Sequence, residues 1–298
     1  MVDALAWVCD LGADRAVLLD EDLLERASVT VPCPGRIRAR ADATAWVVLS
    51  RSCGPTGRHD LALVRPAGAV GRLAALGPVR DLECLDGADA LVVEGDWTQA
   101  TARVLRVHED GAVRQLAVWN GAVAVAGSRD RVFVGTLSGD GLLLDAGVVN
   151  GLPLARVALG KEISDVAPAV GGGWWVLSAA GGARLWRLDE QLGVVIERDL
   201  GGTIEDLAPS STGSGANERL WMPRSGEPWL VAVDGDGRVV HDVDVTRIGP
   251  FRRGDGLADG GALFVASGSV LRVGPGGAAV SAQGGFDGLQ DVSVVPRP

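Results

Sequence analysis

Ala6-Trp7-Val8-Cys9-Asp10-Leu11-Gly12-Ala13-Asp14-Arg15-Ala16-Val17-Leu18-Leu19-Asp20 reads as two short apolar strands joined by a tight polar turn. Its opening triplet sets an aromatic residue between small or β-branched apolar neighbours. The triplet returns, with leucine once in the aromatic place. The copies are Ala45-Trp46-Val47, Ala90-Leu91-Val92, Val132-Phe133-Val134, Trp174-Trp175-Val176, Leu220-Trp221-Met222 and Leu263-Phe264-Val265. Central positions lie 39, 45, 42, 42, 46 and 43 residues apart, and the interval through the joined termini is 41. A fixed period of this size points to a solenoid or a propeller.

Between the triplets run short apolar-rich segments such as Leu61-Ala62-Leu63-Val64-Arg65, Val104-Leu105-Arg106-Val107 and Leu230-Val231-Ala232-Val233. Turns rich in Gly and Asp separate them, among them Glu109-Asp110-Gly111, Gly235-Asp236-Gly237 and Gly274-Pro275-Gly276-Gly277. Four such strands with hairpin turns fit inside one period. No segment sustains a capped apolar period of 3.6 residues, so helices are not expected. The expectation is all-β: one seven-bladed β-propeller over residues 1–298, with four-stranded antiparallel blades whose radial closure protects the sheet edges.

The chain has 298 residues, 47% of them apolar, enough for a large core without metals or disulfides. Its 43 glycines suit many tight turns. Lys161 is the only lysine among 28 basic residues, the bias of a GC-rich bacterial genome. A formal charge of −10 argues against nucleic acid, whose phosphates need a cationic groove. The N-terminal Met1-Val2-Asp3-Ala4-Leu5-Ala6 has no basic stretch before a long apolar one, and no apolar run reaches membrane-spanning length. These features predict a cytoplasmic protein without membrane contact. Cys9, Cys33, Cys53 and Cys84 form no CxxC pair and are expected as reduced thiols, with a Cys9–Cys53 contact the one pairing left open.

The stretch Trp7–Asp20 resembles the strand–turn–strand core of NHL-type propellers, a pattern shared with streptogramin-lyase-like and SMP-30-like propellers. Pro34-Gly35-Arg36-Ile37-Arg38-Ala39-Arg40-Ala41-Asp42 is similar to the segment that precedes it in those repeats. The resemblance implies that the triplet strand is second in its blade and that the strand before it lines a central channel. It then makes Leu289-Gln290-Asp291-Val292-Ser293-Val294-Val295 an innermost strand that completes the N-terminal blade and closes the ring.

On those inner strands Asp81, Asp165, Asp206 and Asp291 take similar places, separated by 84, 41 and 85 residues. They are expected to converge at the channel mouth. One reading is a divalent cation site or an acid/base set, since hard cations want several carboxylate oxygens. The other is that each accepts backbone hydrogen bonds and ties adjacent blades together.

The loops after the triplet strands carry the departures from the repeat. Ser50–Asp60 is the longest and contains His59, while Glu94–Gln99 holds Trp97. Trp119-Asn120, Pro228-Trp229 and Phe251 fall on the same predicted top face. Loop aromatics anchor ligands or partners, or lid the end of a blade core. His108 falls in a turn on the opposite face and His241 in an outer strand. Streptogramin lyases use histidines with a carboxylate and a magnesium ion, and no matching pair of histidines stands here. Asp234-Gly235-Asp236-Gly237 opens like a calcium loop, but Val245 stands where the bidentate Glu is required, so it reads as a hairpin turn.

The residues favour a non-catalytic binding or scaffold propeller that docks a protein or small-molecule partner on its top face, with no cofactor required. The first alternative is a metal-dependent lyase or lactonase using the channel carboxylates. The resemblance to SMP-30-like enzymes would give Asn120 and the aspartates the metal. The second alternative is lectin-like sugar binding on Trp97, Trp119 and Trp229.

Overall fold

The computed structural model describes residues 4–51, 57–85, 88–96, 100–128, 130–204, 206–210, 218–224, 227, 229–245, 251–266 and 268–296. Its strands form seven four-stranded antiparallel blades in a ring, a seven-bladed β-propeller. The first blade joins both ends of the chain: β28 (Leu289–Val294) lies innermost, followed by β1 (Ala4–Asp10), β2 (Arg15–Asp20) and β3 (Glu25–Thr30). The other inner strands are β4 (Pro34–Ala39), β8 (Val79–Leu85), β12 (Ala122–Ser128), β16 (Asp165–Pro168), β20 (Ala208–Ser210) and β24 (Phe251–Gly256). Beside them lie the triplet strands β5 (Ala45–Ser50), β9 (Asp89–Glu94), β13 (Arg131–Thr136), β17 (Trp174–Ser178), β21 (Arg219–Pro223) and β25 (Ala262–Ala266). Third strands such as β6 (His59–Arg65), β10 (Thr101–Val107) and β22 (Trp229–Asp234) follow, and outermost ones such as β7 (Gly68–Leu76), β11 (Val113–Asn120) and β19 (Val194–Asp199) close each blade.

Burial follows radius. Blades pack face to face, so a triplet strand is covered on both sides and reads as a continuous apolar run. In β17 all five residues, Trp174–Ser178, are buried. The outermost β19 keeps five of its six residues exposed. Those outer positions carry the solvated charges.

The triplet aromatics explain their own recurrence. Trp7, Trp46, Trp175 and Trp221 are fully buried, and a buried indole N–H needs an acceptor. Trp7 Nε1 donates to Ala43 O (2.9 Å), Trp46 Nε1 to Ala88 O (3.0 Å) and Trp221 Nε1 to Gly260 O (3.0 Å). Each acceptor lies in the first turn of the next blade. Trp175 Nε1 instead reaches Glu218 Oε1 at 2.9 Å. The indole therefore fills one blade and clasps its neighbour.

The ring closes as the resemblance to NHL-type propellers implies. β1 pairs antiparallel with β28, Trp7 opposite Ser293, and Val295 N donates to Leu5 O (2.8 Å). At one point the blades approach so closely that no side chain fits: a Cβ on Gly256 would lie 1.9 Å from Pro209 O. The thiol expectation fails at Cys33, which is disulfide-bonded, while Cys9 and Cys84 are free. Cys53 lies outside the described residues.

Candidate functional site

Strand alternation builds the channel wall. Side chains two apart on a strand share a face, and the inner strands repeat polar residues at that spacing: Arg36 and Arg38, Asp81 and Glu83, Arg253 and Asp255, Asp291 and Ser293. Registers fix their heights. Asp81 pairs with Val93, Asp165 with Leu177 and Asp291 with Cys9, each two residues past the centre of its triplet. Arg36 stands at the same height, opposite Val48. Asp255 pairs with Leu263, one residue before the triplet centre. It therefore sits about 10 Å lower, at roughly 3.3 Å per residue.

The aspartates staple neighbouring blades. Asp291 Oδ2 accepts from Ile37 N (3.0 Å), Asp81 Oδ2 from Val125 N (2.9 Å), and Asp165 Oδ2 from Leu207 N (2.7 Å). Asp206 Oδ2 accepts from Gly254 N and Asp255 Oδ2 from Val294 N, each at 2.7 Å. Every one of these bonds crosses to the following blade, at its inner strand or, for Leu207, at the residue just before β20. Three arginines add ion pairs: Arg38 with Asp291 (3.0 Å) and Glu83 (3.3 Å), Arg36 with Asp81 (2.9 Å), and Arg253 with Asp206 (2.7 Å).

Asp165 and Asp255 stand apart, because neither enters an ion pair among the described residues. Asp165 otherwise meets only Val166 N (2.9 Å), and Asp255 meets Gly256 N (2.8 Å) and Ser293 Oγ (3.2 Å). Burial, then the charges of Asp206 and Asp81, push the Asp165 carboxyl well above the ordinary range. Burial is the main cause that raises Asp255 to about 7. Glu83 is raised by burial too, against the opposing pull of Arg38.

Below this ring lies a cavity of about 590 Å³. Its wall includes Arg38, Glu83, Asp165 and Asp255, with Ala167, Pro168, Leu207 and Pro209 as an apolar side. It opens toward the face where the inner strands end, the one opposite the predicted top face.

No family model and no curated protein sequence matches this chain. Solved structures match through the fold. Apo AztD from Citrobacter koseri is similar at 13% identity over 98% of this chain and 97% of its own, with a TM-score of 0.66. A chain of the mitotic checkpoint complex is similar at 12% identity, covering 87% and 83%, with a TM-score of 0.67. The dihydro-heme d1 dehydrogenase NirN, in complex with DHE, is similar at 13% identity, covering 98% and 75%, with a TM-score of 0.63. At these identities the likeness shows the propeller and nothing of its use.

The top-face residues do not gather as expected. His59 is not in a loop: it opens β6, is buried, and its Nδ1 accepts from Val79 N (2.8 Å), bridging two blades. Burial lowers its pKa. Trp119 belongs to the outermost strand β11 and packs half-buried against a blade core. Asn120 ends that strand, exposed, its Oδ1 accepting from Thr101 Oγ1 (3.1 Å). Trp229 opens β22, half-buried, on the far side of the ring from Trp119. These indoles therefore sit on a rim and do not meet at the channel mouth, and Trp97 lies outside the described residues. Among the described residues no three His, Cys, Asp or Glu side chains come together so as to hold a metal ion. The arginines, Glu83 and Asp255 were absent from the expected site, although their two-residue spacing within inner strands was the available signal.

Proposed function

We propose that this chain works as a non-catalytic binding propeller, one domain over residues 1–298, that docks a protein partner on its top face. One observation carries the reading: the channel-wall aspartates Asp81, Asp165, Asp206, Asp255 and Asp291 are all engaged with the backbone of the next blade, three of them also with arginine. Carboxylates so committed serve cohesion rather than turnover. The half-exposed Trp119 and Trp229 at the top ends of their strands supply anchors of the kind interfaces use. Kinship with NHL-type propellers belongs to the same reading and rests on the Trp7–Asp20 pattern and the closure through β28. The disulfide at Cys33 favours an oxidising compartment over the reducing cytoplasm that the sequence suggested.

The test is recovery of partners from native extract by wild type and by the Trp119→Ala/Trp229→Ala double variant. Loss of a specific partner with unchanged melting temperature supports the reading. Identical recovery by both proteins removes the top-face indoles from it.

A further inference from the structure

Where the channel wall carries a carboxylate away from the cavity, the chain supplies a guanidinium: Arg36 for Asp81, Arg253 for Asp206 and Arg38 for Asp291. Of the aspartates that line the cavity, Asp259 at the rim is paired with Arg272, whereas the deeper Asp165 and Asp255 enter no ion pair among the described residues. The register shows why for Asp165. At the height where β4 presents Arg36, the neighbouring β12 presents Ala124, paired with Gly135 two residues past its triplet centre. The result is a carboxylate facing an open volume instead of an arginine.

We propose that this cavity binds a small organic cation, a primary amine on an apolar body, with its ammonium group against Asp165. A volume of about 590 Å³ falls inside the range of small-molecule pockets, roughly 300–1,000 Å³. Ala167 and Pro168 of the same blade and Leu207 and Pro209 of the next form an apolar wall beside the carboxylate. That wall suits a hydrocarbon or aromatic body, and the ammonium replaces the missing guanidinium. At the rim, Arg272 is held by Asp259 (3.2 Å) and Glu21 (3.7 Å), so the approach carries more carboxylates than cations. A bare metal ion fits poorly, since Asp165, Glu83 and Asp255 stand on different blades and at different heights. The raised carboxyl of Asp165 is the electrostatic counterpart of the same gap: it holds its charge readily only beside a cation.

This site lies at the mouth opposite the top face, so it stands or falls separately from partner docking. The experiment is calorimetric titration of the full chain with tryptamine, benzylamine and spermidine. Tryptophol and benzyl alcohol serve as neutral isosteres, and indole-3-propionate as the anion. At least one amine is expected to saturate a single site, with its alcohol bound about tenfold more weakly or worse. Asp165→Asn is expected to reduce the amine affinity by about tenfold, and Arg252→Gln to leave it intact, since Arg252 is exposed near the start of β24, outside the cavity wall, and bonds Gln290 (2.9 Å). The proposal is overturned if alcohol and amine bind alike, or if no amine binds at about 10 mM. It is equally overturned if a folded Asp165→Asn chain keeps wild-type affinity. The isostere comparison needs no variant, so it decides even where the substitution prevents folding.

Discussion

Asp255 accepts Val294 N and so ties the closing strand to the last blade, yet burial holds its pKa near 7. Its folded value lies above its unfolded one, so the folded protein binds that proton more tightly. The stabilisation is complete below the ordinary aspartate range and is lost as pH rises through about 7. Asp165, Asp206 and Glu83 are raised too and act in the same direction. The melting temperature is therefore expected to fall between about pH 5 and 7.5. Asp255→Asn should flatten that slope, and a pH series of thermal melts on both proteins checks it. Trp46 offers a second residue-scale test. Trp46→Phe removes the donor to Ala88 O and should cost about 1–3 kcal/mol, read from urea unfolding. Trp46→Ala, which also opens a cavity, should cost about 3–5 kcal/mol.

A strand in this ring is defined by the neighbours on both of its faces, and β28 has the most at stake. It pairs with β1, donates Val294 N to the Asp255 carboxylate and presents Asp291 as acceptor to Ile37 N. A chain ending at Gly288 loses all three connections and leaves the apolar face of β1 open. Such a truncation should lack a cooperative thermal transition, and calorimetry on the shortened protein is the check. Gly256 in β24 is the opposite case, one missing methyl group. Gly256→Ala places Cβ against Pro209 O, and forced overpacking of a tight contact costs about 1–3 kcal/mol or more. The elements themselves were legible because the triplet and the turns repeat. The channel wall was half legible: the aspartates recur at the period of the blades, whereas Arg36, Arg38, Glu83 and Asp255 break it. Their two-residue spacing becomes meaningful only when the strand carrying them is known to be innermost.

At the scale of the whole ring, the inner strands hold a lattice of carboxylates and guanidiniums with its charges linked across blades. Among the described residues no three metal-ligating side chains converge, so EDTA, Mg²⁺ or Ca²⁺ at about 1 mM is expected to leave the melting temperature unchanged, since a native-state ligand would raise it by mass action. A rise of several degrees would restore the metal-dependent alternative. The seven blades were determined by the sequence alone, because a repeated apolar pattern specifies repeated burial, whereas the strand order and the closure through the C-terminus were what the resemblance to NHL-type propellers implied. Which carboxylates meet an arginine, that Asp165 and Asp255 face the cavity without an ion pair, and that Trp119 and Trp229 stand apart were decided by tertiary structure. Those facts depend on the height of each residue around the axis, and one bulge or one missing residue shifts that height without changing the local pattern.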